Sequence, residues 1–282
     1  MKAVLTGAAG FVGRHLRREL GCEHTIIPTA RRKTDVDTEV LDLTDADSVS
    51  AFISAHRDDG IDAIVHAASV LVNADMTYEK QFAAFSDNVR MADSVITIVR
   101  ELNIKTLVNF SSIAVYPNED GKYDEHSETK MSSNSEFFYG LSKLVAENMF
   151  DHALAGICRV VNFRMAQIYG EGMRSDRIIP MMAESVKRDN MIEVYGEGER
   201  TSCFIPVEKA CTAVGYALVD TSLSGTYNVG YETLSYLELA ERVKEKYGND
   251  DTKIVKVKRG SRAKFILDTD KWDSYLRGRW DK

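Results

Sequence analysis

The sequence predicts an α/β fold, a doubly wound parallel sheet followed by a second, smaller α/β region, on three observations. The chain opens with a short apolar strand that runs into a glycine-spaced turn and a helix. Strand-like and helix-like periodicities then alternate through the first two thirds, and the texture changes from Ile178 onward. Such alternation argues for a parallel sheet with helices on both faces, where ligands collect at the carboxyl ends of the strands.

Residues 1–5 read as a buried strand, 3–5 most clearly, and Thr6 to Gly10 is a run of small residues before an amphipathic helix that begins near Phe11. In that strand–turn–helix context Gly7, Gly10 and Gly13 have the spacing of a dinucleotide turn. Gly7 makes the turn and Gly10 admits the backbone to the pyrophosphate. Gly13 lets helix and strand pack closely, and the phosphates sit at the helix N-terminus, which Phe11 and Val12 open. The plainer alternative is a small-residue loop between two buried elements. Further strands are expected at 25–27, 63–66, 106–110 and 158–164, and helices at 13–20, 46–55, 82–102 and 139–155. Together these make a Rossmann-type domain over residues 1–165. Residues 166–282 form mainly a substrate-binding region, with helices at 178–189 and 234–247 and an edge strand at 192–195. Part of it, about 200–220, is placed to return to the main sheet.

Composition bounds the function. With 282 residues, 31.6 kDa and 44% hydrophobic content, the chain suits one large or two modest domains. No apolar run reaches membrane-span length and the first strand leaves no room for a signal peptide, so a cytoplasmic location without membrane partners is expected. The net charge of −7 and the lack of a basic tract disfavour nucleic acid. Cys22, Cys158, Cys203 and Cys211 show neither disulfide nor metal spacing, and no His-x-x-x-His pair occurs; neither a disulfide nor a metal is expected.

The chemistry is carried by Tyr139 and Lys143. Of twelve tyrosines, only Tyr139 has a lysine four residues on, which on a helix places both on one face. An ammonium near a phenol favours the phenolate and suits the phenol to proton transfer near neutral pH. An isolated match could equally be an ordinary surface pair. The context that decides is Ser111-Ser112, two hydroxyls at the end of a predicted strand, able to bond the substrate oxygen that Tyr139 protonates or deprotonates.

With these residues the chain resembles the extended short-chain dehydrogenase/reductase family, in particular its nucleotide-sugar epimerases, dehydratases and reductases (the NAD-dependent epimerase/dehydratase family). The marks are Thr6-Gly7-Ala8-Ala9-Gly10-Phe11-Val12-Gly13, Asp42-Leu43, Val65-His66-Ala67-Ala68-Ser69, Asn88, Ser111-Ser112 and Tyr139-Gly140-Leu141-Ser142-Lys143. Later ones are Arg164 to Gly170, Val194 to Gly198 and Thr226 to Gly230. The resemblance implies that Tyr139 is the acid/base, that Lys143 tunes it and holds the nicotinamide ribose, and that Ser112 completes the set, with Ser111 the nearer substitute. It places Asp42 and Leu43 by the adenine, Ala67 and Ala68 along the cofactor groove, and Asn88 among the cofactor-binding residues.

The stretch after strand two, Ile27 to Lys33, has no acid for a ribose 2′-hydroxyl and three cations, Arg31, Arg32 and Lys33. This suits the extra phosphate of NADP, with NAD as the alternative. Ile113 and Ala114 replace the acids that dehydratases of the family carry after the catalytic serine. Ala114 and Arg177 replace the cysteine and histidine of the GDP-fucose synthase type. What remains reduces a ketone or oxidises an alcohol. The leading expectation is NADP-dependent reduction of a 4-keto, 4-keto-6-deoxy nucleotide sugar. A 4-epimerase with retained NAD is second; a reductase of non-sugar ketones and a non-catalytic cofactor sensor of the same fold are the others. Arg200, Arg262 and Arg177 are the candidate substrate-binding cations, with Arg259 a weaker one. The family's Arg-x-Phe pattern is absent, since Ser202 stands two residues before Phe204. The helices at 82–102 and 139–155 correspond to those that pair subunits in the family, which implies a homodimer.

Overall fold

In the computed structural model, which describes residues 1–72, 75–129 and 137–277, the first part of the chain runs β1 (Lys2–Thr6), α1 (Phe11–Leu20), β2 (Thr25–Ala30), β3 (Glu39–Val40), α2 (Ala46–His56), β4 (Ala63–His66) and α3 (Tyr78–Glu101). It continues through β5 (Thr106–Ser112), a 3-10 turn at Ile113–Val115, β6 (Gly121–Tyr123), α4 (Phe137–Ala153) and β7 (Arg159–Met165). The second part runs β8 (Gln167–Tyr169), α5 (Ile178–Asp189), β9 (Met191–Tyr195), β10 (Thr201–Pro206), α6 (Val207–Val219) and β11 (Gly225–Val229). It ends with β12 (Glu232–Ser235), α7 (Tyr236–Tyr247), β13 (Lys253–Val257), β14 (Phe265–Leu267) and α8 (Asp270–Leu276).

Seven strands form one parallel sheet in the order β11-β7-β5-β4-β1-β2-β3. Strands β1, β4, β5 and β7 are buried along almost their whole length, as a sheet covered on both sides requires. Successive residues feed opposite cores: Leu5, Val65, Val108 and Phe163 pack towards α1 and α6, while Val4, Ile64, Leu107 and Val160 pack with residues of α2, α3 and α4. The chain moves outward from β1 to β2 and β3, then crosses back to β4 on the other side. The switch point therefore lies between β1 and β4, whose carboxyl ends meet in register at Thr6 and His66. A crevice at that point is where an open α/β sheet takes its ligand.

The second part holds a third core of Met182, Val186, Ile192, Phe204, Leu239 and Val243, built around the small sheet β12-β10-β8 and the pair β13-β9. The stretch 200–220 divides: β10 stays in the small sheet, and α6 packs on α1. The strand that rejoins the main sheet is β11, beside β7. Its short Thr-Tyr-Asn-Val run, with a polar Asn228 fully buried, lacks the apolar pattern of a central strand. No helix among the described residues is long and apolar enough to cross a membrane.

Candidate active site

The turn after β1 is shaped by what a side chain would strike. Gly7 has φ of +71°, and a Cβ there would lie 2.8 Å from the backbone N and Cα of Ala68. A Cβ on Gly13 would fall on the carbonyl oxygen of Gly7, so α1 approaches the turn as closely as only glycine permits. Gly10 caps α1, donates its N–H to the Gly7 carbonyl at 2.9 Å, and has no side chain to cover the first amides of the helix. Those amides and the helix dipole suit a diphosphate. The cradle thus fits a dinucleotide, with Ala67 and Ala68 closing it from the end of β4.

Thr6 locks the two strand ends together. Its hydroxyl accepts from the Ala68 N–H at 3.2 Å and lies 2.9 Å from His66 Nδ1. Burial first, and then the charge of Lys143, push the His66 imidazole down to about 3. A neutral His66 accepts the Thr6 hydrogen at Nδ1.

Ser112 ends β5 in extended conformation, half-buried, and its Oγ accepts from the Ala114 N–H at 3.1 Å. Helix α4 packs directly on this turn because residue 140 is glycine: a Cβ there would meet the Ala114 carbonyl. That close approach brings the first turns of α4, with Tyr139 and Lys143, to the carboxyl end of β5. Lys143 is buried, with Nζ 5.6 Å from the centre of the Tyr139 ring. Burial lowers its ammonium to about 8, and the Glu147 carboxylate acts against that shift. The structure separates the two serines. Ser111 is buried and donates its hydroxyl to Glu147, beneath the site, while Ser112 stands at the strand end.

Glu147 and Arg164 form a buried ion pair at 2.8 Å, and Arg164 also donates to the Tyr116 hydroxyl at 2.8 Å. Tyr116 in turn lies 2.8 Å from Asn228 Oδ1 and from the Asp124 carbonyl. Asn228 donates to the Tyr123 and Asp268 carbonyls, so β11 and the segment after β14 are tied to the serine loop. Glu147 escaped the sequence analysis. Its signal was present: it lies one further turn along the face that carries Tyr139 and Lys143.

The remaining predicted residues take varied places. Arg31 and Arg32 are exposed directly after β2. Burial opposes ionisation of Asp42, yet the hydrogen bonds from Thr44 and the charge of Arg31 hold its carboxyl below the usual range. Leu43 is buried, and its carbonyl accepts from Ser94 at 2.7 Å. The Asn88 amide is engaged by protein: Oδ1 accepts from Val70 N–H at 2.7 Å, and Nδ2 donates to the Val70 carbonyl at 2.9 Å and Ser142 at 3.1 Å. It clamps the loop after β4 to α4, a supporting place beneath the groove.

On the second region, Arg177 precedes α5 and Arg200 precedes β10, its guanidinium 5.0 Å from the Tyr236 ring centre. Arg200 Nε is buried without a hydrogen-bond partner among the described residues. Arg262 is exposed and 3.5 Å from Glu199, and Arg259 pairs with Glu193 at 2.9 Å.

A parallel sheet with a glycine cradle at its switch point, beside a Tyr–Lys helix and a serine strand end, defines a dinucleotide-dependent enzyme of the short-chain dehydrogenase/reductase type. Over residues 3–230 the chain matches the sequence model of the NAD dependent epimerase/dehydratase family. It belongs to that family and is an NAD(P)-dependent enzyme of it. Among its relatives, CDP-abequose synthase of Salmonella muenchen is 26% identical over 248 residues, 85% of this chain and 78% of the relative. The dTDP-4-dehydro-6-deoxy-D-allose reductase of Streptomyces bikiniensis is 26% identical over 260 residues, 85% and 79% of the two chains. The crystal structure of UDP-N-acetylglucosamine 4-epimerase from Bacillus cereus superposes with a TM-score of 0.80 at 22% identity, covering 98% of this chain and 92% of the other. That last likeness is one of fold.

Proposed function

We propose that the protein is an NADP-dependent reductase of a 4-keto-6-deoxy nucleotide sugar, with Tyr139 as general acid. The observation that carries this reading is the approach of α4 to the serine turn at Gly140, which gathers Tyr139, Lys143 and Ser112 beside the glycine cradle. A relative named for reducing a 4-dehydro-6-deoxy sugar on dTDP, similar along 85% of this chain, supports the substrate class.

The cofactor, when bound, supplies a hydride to the carbonyl carbon. Gly7, Gly10 and Gly13 hold its diphosphate, and Arg31 and Arg32 face the 2′-phosphate end of the groove. Ser112 accepts at Oγ from Ala114, which leaves its own O–H to donate to the ketone oxygen. Tyr139 gives that oxygen its proton, and the Lys143 ammonium favours the phenolate that remains. Two donors aimed at the oxygen where charge develops stabilise the transition state more than the ground state. Arg200 and Arg177 are the cations proposed for the substrate diphosphate. Arg262, already beside Glu199, has the weaker claim.

The test is oxidation of NADPH, with NADH in parallel, against 4-keto-6-deoxy sugars carried on GDP, dTDP, CDP or UDP. Stoichiometric loss of NADPH with one of them is expected. No consumption with any, together with interconversion of unmodified nucleotide sugars by protein that retains NAD, would instead establish a 4-epimerase.

A further inference from the structure

The reacting groups leave unexplained the charge one turn further along α4. Tyr139, Lys143, Glu147 and Asp151 recur at spacing four and share the face of α4 that meets β5 and β7. Opposite them stand Asn109 and Ser111 of β5 and Asn162 and Arg164 of β7. The result is a polar column in tiers within an otherwise apolar layer. In the lowest tier Asp151 accepts from Asn162 at 3.1 Å, and Asn162 accepts from Asn109 at 2.9 Å. In the middle, Glu147 accepts from Ser111 and from Nε and Nη2 of Arg164, the latter at 2.8 Å. At the top Lys143 lies under Tyr139, with His66 facing it from β4.

Glu147 therefore stands between two buried cations. Arg164 is fixed to it by paired hydrogen bonds; although burial works against the guanidinium, those bonds keep it firmly charged. Lys143, one turn away, is pulled towards the neutral form by burial, and Glu147 is the charge that resists this. Asp151, the next acid along the face, is raised by burial first, its bond from Asn162 opposing and the Glu147 charge adding to the rise. A glutamine at 147 would keep one acceptor oxygen, enough for Ser111 and Nε of Arg164, while losing the charge and the second acceptor that Nη2 of Arg164 uses.

We propose that Glu147 is a positioning residue of the site: clamped by Arg164 and Ser111, its carboxylate supplies the negative charge that keeps the Lys143 ammonium charged and in place beneath Tyr139. The functional consequence rests on the roles given to Tyr139 and Lys143 above, but the coupling itself is measurable without turnover.

The experiment is a pH titration of the full chain, labelled with ¹³C at lysine Cε, with the Lys143 signal identified by its loss in Lys143→Arg. Glu147→Gln is expected to lower the Lys143 midpoint by about one pH unit or more. Glu147→Asp, which keeps the charge, is expected to hold it within about half a unit of the wild type. An unchanged midpoint in Glu147→Gln overturns the proposal. Where that variant fails to fold with Arg164 unpaired, Glu147→Gln/Arg164→Met is read against Arg164→Met, so that the guanidinium charge is absent from both: a lowered midpoint supports the coupling and an equal one overturns it. In turnover, Glu147→Gln should move the alkaline limb of kcat down by the same interval, whereas a merely structural role would scale kcat equally at every pH. Failure of the reductase reading would show differently, as absent turnover with the Lys143 shift intact.

Discussion

Replacing Tyr139 with phenylalanine deletes one oxygen and with it the proton donor assigned to the reaction. Tyr139→Phe should lower kcat by about 10²-fold or more, the usual scale of general acid catalysis, while cofactor affinity measured by fluorescence titration changes little. Near-wild-type turnover would remove Tyr139 from the mechanism. Arg31 and Arg32 separate the two cofactors: changing both to alanine should weaken NADPH binding by about tenfold or more and leave NADH nearly unaffected, because only the former brings a phosphate to a guanidinium. Equal losses would contradict the assignment. His66 predicts an acid weakness. Its folded pKa, about 3, lies below its unfolded value, so between pH 6.5 and 3 the unfolded chain binds the extra proton. Stability should therefore be full above pH 6.5 and fall as the pH drops, by at most about 1.4 kcal/mol per pH unit from this group. Urea unfolding of His66→Gln across that window should show a shallower slope. At this scale the glycines and the Tyr–Lys pair were legible in the sequence because their chemistry depends on short spacings along one chain. The supporting partners were not: Ser111 meets Glu147 only once β5 and α4 are packed, and Asn88 meets Val70 and Ser142 only across a loop and a second helix.

Helix α4 is the element on which the site turns, and Gly140 sets its distance from the serine turn. Gly140→Ala would place a methyl on the Ala114 carbonyl, so the helix or the turn must retreat. A displacement of about 1 Å there should cost up to about 10²-fold in kcat, with a smaller effect on Kd for cofactor, because the glycine cradle is built from other elements. A Gly140→Ala variant as active as the wild type would show that the contact does not position Tyr139. The main strands were readable from sequence because both of their faces are buried, which leaves continuous apolar runs such as Ala63, Ile64 and Val65. Strands β6, β11 and β14 were not. They are three to five residues long, and their pairing partners lie between 64 and 144 residues away, so no local pattern announces them.

The whole molecule joins its two parts through a shared core, with α6 on α1 and β11 beside β7, and through specific polar bonds. Asn228 on β11 links the Tyr116 hydroxyl to the Tyr123 and Asp268 carbonyls, and Lys264 N–H donates to Asp120 at 2.7 Å, so the second part of the chain is fastened to the loop that follows Ser112. On the outer side, Tyr78, Phe82, Phe85 and Phe138 cluster where α3 meets α4, with Tyr78 and Phe82 exposed. This surface supports the homodimer expected for these helices. Light scattering should give about twice the chain mass, and Phe82→Glu should shift it towards the monomer; a wild-type monomer would reject that assembly. The central claim, reduction at sugar carbon four, is tested most directly by isotope transfer. NADPH carrying deuterium at the transferable C4 position should leave one deuterium on sugar C4 of the product, seen by NMR, for each cofactor oxidised. Deuterium at any other carbon, or product formed with no deuterium while NADPH remains unoxidised, would contradict it.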